Sequence, residues 1–171
     1  RVIAINSSGA YGAAKLWPSR HFAELARSVV DRLDHDVLVI CGPSEREIAQ
    51  DIVQRADRDR VFSLSQERLG LTTTKGCLAR CRIAVSTDSG PRHVAAALGK
   101  PVLTLLGPTS PIWIDNPTIE GSYLQANVEC LGCAKRTCPF GHHRCMEELS
   151  PTAVFERLAA TIDKSAPVKV A

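Results

Sequence analysis

Asp88, Ser89 and Gly90 stand in a row where an apolar run ends, with Pro91 next and His93 one helical turn on. An acid can accept hydroxyl hydrogens, a serine can donate to an oxyanion, and a glycine lets a ligand approach the backbone closely. A second stretch of mostly small residues, Asn6-Ser7-Ser8-Gly9-Ala10-Tyr11-Gly12-Ala13-Ala14-Lys15, ends in a lysine. An ammonium and the unpaired N–H groups of a helix start are the counter-charges that linked phosphates need. Glu45, near the end of another apolar run, is placed to reach a nucleotide ribose, as acids do in parallel α/β sheets. Each of these residues also has an ordinary reading. Asp88 alone is a helix N-cap, Lys15 a surface lysine, His93 a packing imidazole and Glu45 a first-turn charge.

The elements around them decide between the readings. Residues 83–87 form a short β-branched run of the kind buried in a parallel sheet. Asp88-Ser89-Gly90-Pro91 breaks it and opens a helix, since proline is tolerated in the first turn. Gly99 and Pro101 close that helix, and residues 102–106 form the next strand. Residues 2–5 are a first strand, entering the small-residue loop and then a helix announced by Trp17-Pro18-Ser19. Phe22, Leu25, Ala26, Val29, Val30 and Leu33 share one face of it. Residues 37–40 are a second strand, and Ser44 with Glu47 reads as a capping box before Ile48, Ile52, Val53 and Ala56. A strand over 61–64 and a helix over 67–81 follow.

Pro108, Pro111 and Pro117 mark an irregular loop. Trp113 within it is read as a core residue, with a place at a cleft as the alternative. Residues 123–126 form a short strand. Ser150-Pro151 caps a last helix with Val154, Phe155, Leu158 and Ile162 inward. Strands alternating with helices make an α/β, Rossmann-like parallel sheet with helices on both faces. In such a sheet the Lys15 and Asp88 loops share the carboxyl edge, where ligands bind. The Asp88 turn is therefore expected to hold the diphosphate end of a sugar nucleotide.

The chain of 171 residues is 44% hydrophobic and 23% charged, the balance of one globular domain rather than a disordered segment. Its net charge of +3 is unclustered, so no nucleic acid is expected as partner. No run of 18 apolar residues spans a membrane. The chain opens at Arg1 inside strand sequence and its one methionine is Met146, so it reads as a piece of a longer protein. Four cysteines lie within 128–148, spaced Cys130-x2-Cys133-x4-Cys138-x6-Cys145, with His142 and His143 between the last two. The first pair has metal-knuckle spacing and the second half does not. Free thiols, disulfides and a structural metal all stay open, with no metal assigned. Cys41, Cys77 and Cys81 read as small buried apolar residues.

The order and spacing of several motifs resemble one family. Residues 6–15 with Trp17-Pro18, then Asp88-Ser89-Gly90 with His93, then Gly107-Pro108-Thr109, are similar to the C-terminal half of the lipopolysaccharide heptosyltransferases, glycosyltransferase family 9. Residues 133–145 also look like a cysteine-rich insert found in that family. The resemblance covers nearly the whole chain. It implies the GT-B architecture of two Rossmann-like domains. This chain would be the C-terminal, donor-binding domain over 1–171, with the cysteine loop at 128–148 and the N-terminal acceptor domain absent.

The resemblance further implies an ADP-heptose donor, a lipopolysaccharide core acceptor and transfer with inversion. The catalytic base would lie in the absent domain, so no catalytic residue is assigned here and the chain alone would bind without catalysing. No cofactor is implied, since lysine and helix N–H groups can neutralise the leaving group. The place would be cytoplasmic, at the cytoplasmic face of the inner membrane. By position, Lys15, Ser7 and Ser8 would meet the diphosphate, Asp88 would accept heptose hydroxyls, and Ser89 and Gly90 would offer N–H groups. His93 lies one turn along the same face. Arg92 stands where the family commonly has an apolar residue, and its role is open.

Two other classes fit parts of the pattern. A sugar-nucleotide epimerase would bind a diphosphate at the same edge. A structural metal or interaction module would centre on residues 130–145. A dehydrogenase needs Gly-x-Gly-x-x-Gly after the first strand, and that spacing is not here.

Overall fold

Six strands pair in parallel in the order β3-β2-β1-β4-β5-β6. They are β1 (Val2–Asn6), β2 (Asp36–Ile40), β3 (Val61–Ser63), β4 (Ile83–Thr87), β5 (Val102–Leu106) and β6 (Gly121–Gln125). The helices are α1 (Ser19–Leu33), α2 (Arg46–Ala56), α3 (Leu71–Arg80), α4 (Gly90–Ala97), α5 (Arg144–Glu147) and α6 (Pro151–Lys164). The computed structural model describes residues 1–7, 9, 12–114 and 121–164. The readings of Ser8, Tyr11 and Pro117 lie outside the described residues.

All five residues of β4 and of β5 are buried, as expected of strands covered on both faces. Helix α1 packs on both α2 and α6, and α3 packs on α4. The α1 stripe predicted from periodicity places Phe22, Leu25, Ala26 and Val29 in the core, with Val30 and Leu33 packed against it. Trp17 is buried at the entry to α1, and its indole N–H donates to the Leu149 carbonyl at 2.8 Å. Gly99 adopts φ +68, with its N–H on Ala96 O at 2.9 Å and the Lys100 N–H on Ala95 O at 3.0 Å. That left-handed cap ends α4 as the sequence requires. Ser150 caps α6 through the Ala153 N–H at 3.2 Å.

Several boundaries differ from expectation. The box before α2 is formed by Gly42 and Glu45, not by Ser44 and Glu47. The Glu45 N–H donates to Gly42 O at 3.1 Å, and the Gly42 N–H donates to Glu45 Oε2 at 2.8 Å. A 3-10 turn, Pro43–Glu45, delays α2 to Arg46. Strand β3 stops at Ser63 and α3 begins only at Leu71. Arg46 donates to the carbonyls of Ser65 and Glu67, and so takes acceptors that an earlier helix would need. Strand β6 begins at Gly121, in register with Val102 of β5.

Candidate functional site

The sheet order reverses between β1 and β4, which makes their carboxyl ends the crevice where such sheets bind ligands. Lys15 comes from the loop after β1 and Asp88 from the loop after β4. The structure joins them: Lys15 Nζ lies 2.6 Å from Asp88 Oδ2 and also donates to the Asp88 carbonyl at 3.1 Å. The two side chains are only 14% and 13% exposed, so the pair is largely shielded from water and salt. Thr109, after β5, donates its hydroxyl to Asp88 Oδ2 at 3.0 Å. Arg92 Nη1 lies 3.6 Å from Asp88 Oδ1.

The ordinary reading of Asp88 makes it the side-chain cap of α4, and Ser89 is the other cap-forming residue type beside it. The structure corrects this, because neither side chain caps the helix. The Asp88 carboxylate is held by the cations. Ser89 Oγ accepts from Asn6 Nδ2 at 2.8 Å, and that amide also donates to Ser86 Oγ at 3.0 Å. Asn6 thus ties the end of β1 to the α4 entry, a role not read from the sequence. Gly90 begins α4 exposed, and a Cβ there would meet no atom within 4 Å. The opening at the helix start is sterically clear.

Burial alone would raise the Asp88 carboxyl. The Lys15 hydrogen bond and charge, the Thr109 hydroxyl and the Arg92 guanidinium together outweigh it and hold the carboxyl below its ordinary value. The ionised acid is therefore favoured by folding. Its stabilisation is present above the unfolded-state value near ~3.9 and is lost as pH falls through the lower folded value. Asp88→Asn is expected to be less stable than the parent chain at neutral pH, with the gap closing in acid. Thermal unfolding across pH reads this, and a gap that did not change with pH would contradict it.

The other predicted residues fall in different places. His93 is exposed on α4, with Nε2 3.4 Å from Arg92 Nη1. Ser7 is 1% exposed and its hydroxyl meets no polar partner among the described residues, so in this state it is not offered at the edge. Glu45 is buried and accepts the Gly9 N–H at 3.1 Å as well as that of Gly42. It ties the loop after β1 to the loop after β2. The sequence points to a core position for Trp113. It is instead 74% exposed on the 3-10 turn Pro111–Trp113, because the proline turn carries it outward past β5. A cleft of about 230 Å³ is lined by Lys15, Asp88, Arg92, His93, Thr109 and Trp113, among others.

The cysteine segment builds one side of the site. The Ala14 N–H donates to Arg136 O at 3.0 Å, and His143 Nε2 donates to Ala14 O at 2.9 Å. These two bonds hold the 3-10 turn Ala13–Lys15 that carries the lysine. The Ala134 N–H donates to Pro108 O at 2.9 Å, which fastens the segment to the loop after β5 as well. Gln125 of β6 steadies that loop through Gly107 O at 3.0 Å and Thr109 O at 3.1 Å.

All seven cysteines are free thiols. Cys41 and Cys81 are buried as read, while Cys77 is half-buried. Burial, reinforced by Cys130, Cys133 and Cys138, pushes the Cys145 thiol up to about 11. The His143 N–H and three further backbone donors instead lower the Cys138 thiol. Among the described residues, no group of three or more His, Cys, Asp or Glu is arranged to hold a metal ion. No helix among them is long and apolar enough to cross a membrane.

A six-stranded parallel sheet with this strand order defines a Rossmann-like unit, with Lys15 and the start of α4 at its switch point. The chain belongs to glycosyltransferase family 9, the heptosyltransferases, whose family model matches residues 1–144. It is 28% identical over 165 residues to lipooligosaccharide heptosyltransferase 2 of Campylobacter jejuni, covering 92% of this chain and 50% of that one. It is 32% identical over 138 residues to lipopolysaccharide heptosyltransferase 1 of Pseudomonas aeruginosa, covering 77% and 36%. The solved structure of E. coli ADP-heptose lps heptosyltransferase II superposes with a TM-score of 0.78 at 26% identity, over 95% of this chain and 46% of that one. The chain spans about half the length of the first of these relatives, or less for the others.

Proposed function

We propose that this chain is the donor-binding, C-terminal domain of a GT-B heptosyltransferase. It holds ADP-heptose, whose heptose passes with inversion to the inner core of lipopolysaccharide. The acceptor and the general base belong to a second, N-terminal domain, so this chain binds donor and does not catalyse alone. The reaction takes place on the cytoplasmic side of the inner membrane.

The observation that carries this reading is the shielded Lys15–Asp88 pair at the switch point, beside the clear start of α4. A diphosphate presented there takes the Lys15 ammonium and the first-turn N–H groups, which spread the charge that grows on the leaving group. Asp88 then turns its carboxylate to sugar hydroxyls. Lys15 thus exchanges one anionic partner for another without being left uncompensated. The ADP-heptose named for the E. coli relative supports adenine as the base.

Calorimetric titration with ADP, UDP and GDP tests the reading. ADP is expected to bind at least ~10-fold more tightly than the other two, a difference of about 1.4 kcal/mol. Equal affinities would remove the case for an adenine donor. Absence of binding by all three would remove the donor site itself and favour a structural role centred on residues 130–145.

A further inference from the structure

Arg92 is 4% exposed, and its guanidinium is shared among three elements. Nε donates to Thr104 Oγ1 of β5 at 3.1 Å. Nη2 donates to the Ile114 carbonyl at 3.0 Å. Nη1 lies near Asp88 Oδ1 at 3.6 Å and His93 Nε2 at 3.4 Å. Ile114 closes the turn that carries Trp113, through its own N–H on Pro111 O at 3.0 Å and the Trp113 N–H on Ser110 O at 3.1 Å. The guanidinium therefore links the acid on one wall of the cleft to the aromatic turn on the other.

A buried cation is costly unless its charge and its donors are all met. Here a nearby carboxylate meets the charge, and a hydroxyl and a carbonyl take two of the donors. Only a planar fork can serve partners in these separate directions, which a lysine ammonium on a flexible stem cannot do. Among the described residues Trp113 has no comparable side-chain anchor of its own, being 74% exposed on a short turn.

We propose that Arg92 is a positioning residue that fixes the Trp113 turn opposite Asp88, and so makes the cleft select a sugar-bearing donor over the bare nucleoside diphosphate. This rests on the donor-site reading above. The sugar is the part of the donor that reaches between an acid and an aromatic face. The diphosphate, held by Lys15 and the α4 start, does not depend on that spacing.

The test compares the parent chain with Arg92→Met and Arg92→Lys. Amide hydrogen exchange at residues 113 and 114 reads the latch without any ligand. Calorimetry with ADP and with ADP-heptose reads its consequence. In Arg92→Met, exchange at 113 and 114 is expected to quicken by about tenfold or more while the β4 and β5 amides stay protected. Affinity for ADP should stay within about twofold, and affinity for ADP-heptose should fall by about tenfold or more. Arg92→Lys keeps a charge beside Asp88 but loses the fork, so it should show the same fast exchange and the same split. It also serves if the methionine variant does not fold.

Unchanged exchange at 113 and 114 in both variants overturns the proposal. So does an equal loss of ADP and ADP-heptose binding, which would mark Arg92 as a general support of the fold. If the parent chain binds neither nucleotide, the donor reading falls, and the exchange comparison still decides the latch.

Discussion

Lys15→Ala is expected to weaken ADP binding by about ten- to hundredfold, the loss of one charge-assisted hydrogen bond worth roughly 1.5–3 kcal/mol. The substitution removes the ammonium that lies 2.6 Å from Asp88 Oδ2. It leaves that carboxylate facing the incoming phosphates with Thr109 and Arg92 as its remaining partners. Two effects then act in one direction: an attraction is lost and a repulsion is exposed. Asp88→Asn separates them. It frees Lys15 from its resident acid, so ADP should bind as tightly as before or more tightly. The same change removes the acceptor for sugar hydroxyls, so ADP-heptose should bind more weakly. Opposite responses of the two ligands would be hard to obtain from a variant that merely distorts the fold. ADP affinity unchanged by Lys15→Ala would place the phosphates elsewhere.

The second large effect is expected at Gly12, which was read only as one small residue in a loop. A Cβ at this position would sit 2.3 Å from the Arg136 carbonyl oxygen and 2.9 Å from its carbon. The obstacle is backbone, so no rotamer change relieves it. Gly12→Ala must therefore push the cysteine segment away from the turn at Ala13–Lys15. That breaks the Ala14 N–H to Arg136 O bond and releases Lys15. A loss of about 2–4 kcal/mol in stability is expected, of the size seen when packed groups are forced apart. For a chain of this length that is roughly a 5–15 °C fall in melting temperature. Gly70→Ala is the control, since a Cβ there would meet nothing within 4 Å. A melting temperature unchanged in Gly12→Ala would show that the two segments do not depend on each other.

The strands and the main helices were legible because burial imposes a short-range rhythm on sequence. Leu25 and Val29 must repeat at helical spacing to reach the same sheet, and the residues of β4 must be apolar or small because both faces are covered. Asp88 and Lys15 were legible together for a related reason: sheet topology brings the ends of β1 and β4 to one edge whatever the side chains are. The missing parts depend on partners far along the chain. Glu45 looks like any first-turn acid until the Gly9 and Gly42 amides are found on its carboxylate. Arg92 has no readable role until Thr104 and the Ile114 carbonyl are placed around it. Trp113 looks like core because large aromatics usually are, and only the path of the proline turn shows otherwise. His143 carried a hint in its type, but its partner, the Ala14 carbonyl, has no signature in sequence at all.

The bond between His143 and Ala14 joins residues 129 positions apart. At ordinary speeds of translation, about 5–20 residues per second, the lysine turn leaves the ribosome on the order of ten seconds before the imidazole that will hold it. The nascent first strand must wait for a partner that is still being synthesised. The cleft beside Lys15 is therefore among the last features to mature. A polypeptide arrested before residue 136 would display the start of the site without the clasp that sets it.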